Sequence, residues 1–166
     1  MSKAGKRIIA GLKEATSLGP SLLSFQAESN KIEGIITVRT EEVVALQTFV
    51  SLKEISIDSL VDYVAVIQPN ARLRRTPDIP GVRVSNHIAP ASGQSLMDRL
   101  SDLLTKTNTG AISAFDAHCT YECLHPFTDG NGRSGRALWL WMNRGHAPLG
   151  FLHQFYYDTL SSSRLT

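Results

Sequence analysis

His125-Pro126-Phe127-Thr128-Asp129-Gly130-Asn131-Gly132-Arg133-Ser134-Gly135-Arg136 is the stretch from which the rest of the chain can be read. It gathers an imidazole, a carboxylate, a carboxamide, three glycines and two guanidiniums between apolar residues ending at Leu124 and resuming at Ala137. Pro126 disfavours the α conformation for His125, so the preceding helix should stop at Leu124 or His125, with the imidazole at its end. Histidine is the side chain best suited to accept a hydroxyl proton near neutral pH. Gly130 and Gly132 let successive N–H groups face one concavity, and Gly132 can open the next helix. Free donors and the helix macrodipole together make such a turn an anion site.

Asp129 would repel phosphate directly, but it suits a Mg²⁺ or Mn²⁺ ion that bridges phosphate oxygens. Asn131 can offer its amide to a phosphate oxygen. Arg133 and Arg136, three apart on a helix, can clamp outer phosphates bidentately. Phe127 is assigned to the core. A Walker A loop needs a Lys-Ser/Thr pair after the glycines, and an EF-hand starting at Asp129 needs glycine and glutamate where Ser134 and Leu140 stand. His118, Cys119, Cys123 and His125 lack a second ligand pair at zinc-finger spacing, so both cysteines are read as small apolar core residues.

Outward from this loop, the periodicity predicts an all-α domain with one small β element. Helices are expected over 21–32, stopping at Gly34, then from an N-cap at Thr40, and over 56–66, 96–104, 111–124, 132–144 and 151–160. The helix over 132–144 is apolar almost all round, as a central buried helix would be. Residues 1–20 read as loosely structured. Pro69, Pro77, Pro80, Gly81 and Pro90 break any helix between 68 and 92, while Val82-Arg83-Val84 alternates like a strand, so a hairpin or flap is expected there.

Composition agrees with one globular domain: 166 residues, 42% hydrophobic and 19% charged. A formal charge of +2 is too small for general nucleic-acid binding. Arg72, Arg74, Arg75 and Arg83 read as a solvated basic loop. Two cysteines make no disulfide framework, and no apolar run reaches membrane-spanning length. The expected setting is cytoplasmic, with neither nucleic acid nor membrane as partner.

The loop resembles the signature of Fic domains, HPFx(D/E)GNGRxxR, whose members transfer AMP from ATP to protein hydroxyls. The match is complete from His125 to Arg136, and the flanking layout is similar over roughly 40–160. The resemblance implies a Fic-type helical bundle with His125 as general base, Asp129 on the metal, Gly130, Asn131 and Gly132 as anion hole, and Arg133 and Arg136 on the β- and γ-phosphates. It makes Val82, Arg83, Val84 and Ser85 part of a flap over 82–89 that docks an extended protein target by strand addition. Doc-type members that phosphorylate their targets carry lysine where this chain has Gly132, so transfer of AMP from ATP is favoured here, although other nucleotidyl groups need nearly the same loop.

Upstream, Ser29-Asn30-Lys31-Ile32-Glu33-Gly34 is similar to the family's inhibitory-helix pattern, (S/T)xxxE(G/N). It implies that Glu33 takes the guanidinium of Arg136 that the γ-phosphate needs. The chain would then divide into an N-terminal segment over 1–39, with the inhibitory helix at about 21–33, and a catalytic core over 40–166. The same residues also suit the reverse reaction, in which Glu33 positions a water and AMP is removed from a modified protein. A weakly catalytic, partner-binding module is a third reading. A homo-oligomer formed through exposed helix faces would add a further layer of control. Tyr156, Tyr157 and Trp139 are candidates for an adenine pocket, with a core role preferred for each.

Overall fold

The computed structural model describes residues 20–84 and 87–146. The helix expected over 151–160, residues 1–19, Ser85, Tyr156 and Tyr157 lie outside that range. Within it the chain is helical: α1 (Pro20–Ile32), α2 (Thr40–Val50), α3 (Ile57–Ile67), α4 (Gln94–Thr109), α5 (Ala114–Leu124) and α6 (Asn131–Met142). Between α3 and α4, the two-residue segments β1 (Arg83–Val84) and β2 (His87–Ile88) pair antiparallel, Arg83 with Ile88 and Val84 with His87.

Local chemistry sets most of the helix ends. Ser56 caps α3 by accepting from the Ser59 amide at 3.1 Å, and the Ser59 hydroxyl accepts from the Ser56 amide at 2.9 Å. Ser113 caps α5 by accepting from the Asp116 amide at 3.1 Å. The cap of α2 differs from expectation, for Arg39 stands at that position and Thr40 is already helical. Glu42 explains the shift, because its carboxylate reaches back to the Arg39 amide (3.3 Å) and to the Arg39 Nε (3.0 Å).

One apolar core joins all six helices. Phe25 enters it from α1, Leu46 and Phe49 from α2, Leu60 and Val64 from α3, Leu96 and Leu100 from α4, Tyr121 and Leu124 from α5, and Leu138 and Leu140 from α6. As its composition foretold, α6 is the central element. Its C-terminal half buries Ala137, Leu138 and Leu140, with Trp139 half-buried against the core. Its N-terminal half is polar and equally sealed, with Asn131, Arg133, Ser134 and Arg136 all buried. At Gly135 the helix lies so close to α5 that a β-carbon would press on Tyr121 at 3.0 Å and His118 at 3.2 Å.

Two expectations about single residues are corrected. Arg74 is wholly buried rather than part of a solvated basic loop. Cys123 is exposed and Cys119 only half-buried, because their i,i+4 stripe lies on the side of α5 away from the buried Ala117, Tyr121 and Leu124. Among the described residues no helix is long and apolar enough to cross a membrane.

Candidate active site

The stretch from His125 to Gly130 links α5 to α6 and is held from behind by extended chain over 72–74. Leu73 bridges to Phe127, the Arg74 amide donates to the Pro126 carbonyl (2.8 Å), and the Thr128 amide donates to the Arg72 carbonyl (2.9 Å). Phe127 is buried in the core as expected. His125 is the C-cap of α5 with φ 49° and ψ 60°, left-handed, so Pro126 does keep it out of the right-handed region. A non-glycine residue in that conformation is uncommon and costs roughly 1–2 kcal/mol, so the surrounding bonds must hold it.

Asn131 acts differently from expectation. Its Oδ1 accepts from the Phe127 amide (2.9 Å) and its Nδ2 donates to the Phe127 carbonyl (2.8 Å). The carboxamide therefore closes the loop on itself, and an amide locked in that way shapes the turn instead of reaching for an anion. Gly130, at φ +76°, supplies the left-handed residue that aims the chain into α6, and a β-carbon there would also crowd Gln68 at 3.2 Å.

The two arginines separate. Arg133 turns to the end of α3, where Nη1 donates to the Ile67 carbonyl (2.8 Å) and Nη2 to Gln68 Oε1 (2.7 Å). Its Nε–H is buried and meets no acceptor among the described residues. Gln68 continues the chain of bonds, because its Nε2 donates to Asp129 Oδ2 at 2.5 Å. The other oxygen of Asp129 accepts from the Gly130 amide at 2.7 Å. That leaves an exposed, oriented carboxylate at the mouth of the loop. Gln68 thus connects the candidate metal ligand to a buried guanidinium, a role that no motif announces.

Arg136 points instead at α1. Its Nε donates to Ser29 Oγ (2.9 Å), and its Nη2 donates to the Ser29 carbonyl (3.0 Å) and to Glu33 Oε1 (2.6 Å). The i,i+4 spacing of Ser29 and Glu33 brings both onto the face that meets Arg136. Gly34, with φ +75°, ends the helix in a Schellman motif: the Ile35 amide donates to the Asn30 carbonyl (3.0 Å) and the Gly34 amide to the Lys31 carbonyl (3.0 Å). Glu33 is consequently the C-cap residue, one position beyond the end of α1.

The Glu33 carboxylate lies directly over Gly132, where a β-carbon would collide with its Oε1. Gly132 is in the first turn of α6, so this side chain puts negative charge at the positive end of one helix although it hangs from the negative end of another. Glu33 and the loop that the sequence placed far apart are thus brought together.

Beneath the loop the seam between α5 and α6 is polar and buried. The hydroxyls of Tyr121 and Ser134 are 2.8 Å apart, and Ser134 Oγ also donates to the Gly130 carbonyl (2.9 Å). Burial raises the Tyr121 pKa and keeps the phenol protonated. His118, buried on α5, is pushed down from 6.5 to about 4 by desolvation, partly countered by hydrogen bonding to the Gly135 backbone, so it is neutral at physiological pH.

Two observations from outside the molecule agree with this geometry. Residues 45–142 match the Fic/DOC family. Among solved structures, "Fic-1 (aa134 - 508) from C. elegans" is similar with a TM-score of 0.54 at 21% sequence identity, an overlap that covers 99% of the present chain and 59% of that one. At that identity the likeness speaks for the fold. The chain spans about three-fifths of the length of that relative. No curated protein matches it.

Proposed function

The chain belongs to the Fic/DOC family, and from that premise we propose that it is a Mg²⁺-dependent protein adenylyltransferase restrained by its own α1. The Glu33–Arg136 pair over Gly132 carries the reading. A carboxylate held by a buried arginine at the first turn of a helix occupies the kind of site a phosphate takes. Withdrawal of Glu33 would open the α6 turn and the Arg136 guanidinium, still held by Ser29, to the outer phosphates of ATP. The unsatisfied Nε–H of Arg133 is a second buried donor suited to an anion.

Asp129 is a hard, oriented oxygen ligand, and no cluster of three His, Cys, Asp or Glu side chains capable of caging a metal occurs among the described residues. One carboxylate completed by substrate phosphates is how Mg²⁺ is commonly held, so this residue fits the ion. When bound, the ion would neutralise phosphate charge.

The chain's own residues supply positioning and proton transfer. His125 accepts the proton of a Ser, Thr or Tyr hydroxyl while that oxygen bonds to the α-phosphorus in line. The bond from the α-phosphorus to the bridging oxygen breaks, and pyrophosphate leaves with its pair of electrons. Gly132 supports attack at the α-phosphorus, since it stands where Doc-type members that phosphorylate their targets carry lysine. The β1–β2 pair, with Ile88 exposed, is the candidate flap on which an extended target segment docks by strand addition. Self-modification through the same route is included in this reading.

If the closed state is favoured by about 1–3 kcal/mol, productive nucleotide binding is weakened by about 5- to 150-fold. Incubation of Glu33→Gly with ATP and Mg²⁺, read by mass spectrometry, should yield an AMP adduct on a hydroxyl residue, lost when His125→Ala is added. No more label than wild type under both Mg²⁺ and Mn²⁺ would remove the inhibitory role. Failure of Glu33→Gly to bind Mg²⁺–ATP at all would leave a partner-binding module as the better account. A second reading, removal of AMP by a water that Glu33 positions, is favoured by one observation: the Glu33 side chain stays 39% exposed while paired. Release of AMP from a pre-modified target by wild type, abolished in Glu33→Gly, would select it.

A further inference from the structure

Arg74 is the largest fully buried side chain of the described residues, and it has no carboxylate partner among them. Its guanidinium is divided between two parts of the site. Nη1 donates to the carbonyls of His125 (2.7 Å) and Leu124 (3.4 Å), the last of α5. Nη2 donates to the Pro90 carbonyl and Nε to Ser92 Oγ (3.2 Å), both just beyond β2. Its backbone repeats the pattern, with its amide on the Pro126 carbonyl (2.8 Å) and its own carbonyl accepting from the Gly93 amide (3.0 Å). The Ala89 amide, donating to the Val82 carbonyl (3.0 Å), closes the β1–β2 unit against this anchor.

The geometry points to Arg74 as a positioning residue that fixes the base, His125, relative to the strand pair that would carry the target. A cation at the end of α5 satisfies orphan carbonyls and the negative helix pole, which favours the left-handed conformation of His125. The planar fork is what lets one side chain serve two elements at set angles, and lysine, a single point donor, cannot do so. Desolvation lowers the Arg74 pKa, yet several oxygen acceptors remain to hold the charged form. The fold thus contains a ruler: the hydroxyl of a segment docked on β2 reaches the imidazole only if both ends of Arg74 are engaged.

This role rests on the transferase reading, and the test separates the two. Arg74→Lys and Arg74→Met are made in the Glu33→Gly background, with Glu33→Gly as parent. Transfer to a protein hydroxyl should fall in kcat by about 10- to 100-fold in both variants, while the Kd for Mg²⁺–ATP changes by no more than about twofold. Amide exchange read by mass spectrometry should quicken at residues 87–93 and 124–128 together, with α1 and α2 still protected. Loss of nucleotide affinity in step with kcat, full activity in Arg74→Lys, or exchange that quickens everywhere or at one segment alone would overturn the ruler. If the parent itself transfers nothing, the transferase reading falls, and the paired exchange pattern still decides whether Arg74 joins the two segments.

Discussion

The body of α1 and its last turn are built to opposite standards. Along the body, Phe25 is in the core, and Gln26, Ser29 and Asn30 are buried in a connected polar network. Gln26 donates to Asn30 Oδ1 (2.9 Å), and Asn30 donates to the Thr37 carbonyl (2.9 Å) and to Glu42 Oε2 (2.8 Å). The Tyr63 hydroxyl, held protonated by burial, donates to Gln26 Oε1 (3.4 Å). The tip, by contrast, has a half-exposed Glu33 that ends in one ion pair. Partly exposed pairs contribute little, whereas buried networks are costly to break. A helix firmly anchored along its length but lightly latched at its end can uncover the proposed nucleotide site by moving one turn, without detaching.

The largest effect expected from this contrast is kinetic. Glu33→Gly should raise self-modification by about 5- to 150-fold while changing unfolding free energy by less than about 1 kcal/mol. Paired labelling and urea melts check it. A gain in label accompanied by a large loss of stability would mean that the tip and the body are one unit, and the contrast would fail.

Acid should act on the sealed seam between α5 and α6. The His118 pKa is lowered from 6.5 in the unfolded chain to about 4 in the folded one. As pH falls below 6.5 the unfolded state takes up the proton first, so the stability it contributes is complete above that pH and is lost toward pH 4. The loss should approach about 3 kcal/mol. Urea melts at pH 7, 5.5 and 4.5 should show the fall, and His118→Gln should flatten it. An equal slope in the variant would locate the proton uptake elsewhere.

The body is tested by Asn30→Ala, which leaves the buried Glu42 with Arg39 as its remaining side-chain partner among the described residues and removes a donor from the Thr37 carbonyl. A loss of about 2 kcal/mol is expected, with self-modification raised less than in Glu33→Gly. Thermal melts and labelling on the same samples rank the two variants. Activation equal to that of Glu33→Gly would show that release requires the whole helix to leave.

What could be read in the chain before its fold was known follows the range of the forces involved. His125, Gly130 and Gly34 were legible because their roles come from backbone rules acting over two or three residues. The helices were legible because apolar spacing survives in any bundle, and α6 because its run is apolar almost all round. Arg74 was not, since a buried arginine in a cluster with Arg72, Arg75 and Arg83 looks like its exposed neighbours; only the carbonyls of Leu124, His125 and Pro90, distant in sequence, distinguish it. Gln68 was hidden for the same reason. Asn131 allows two readings, because a carboxamide suits an anion and a backbone equally well, and here it turns to the loop's own Phe127. Arg133 and Arg136 do share a helix, but α3 and α1 draw them to different partners.

Gly34 allows the finest cut between body and tip. Its φ of +75° is left-handed, yet nothing lies within 4 Å of where a β-carbon would sit. Substitution by alanine therefore adds no clash and acts through the backbone alone, at about 1 kcal/mol. That strain falls on the Schellman turn which sets the angle of Glu33, one residue before, and spares the side chains of Asn30 and Phe25. Gly34→Ala should consequently raise self-modification by a few-fold, about what 1 kcal/mol against the closed state allows, with the network amides of α1 still protected from exchange. Gly34→Asn, whose side chain tolerates the left-handed region, should restore most of the restraint. Equal activity in both variants would mean that the angle of the last turn does not govern the latch, and that Glu33 reaches Arg136 through side-chain freedom alone.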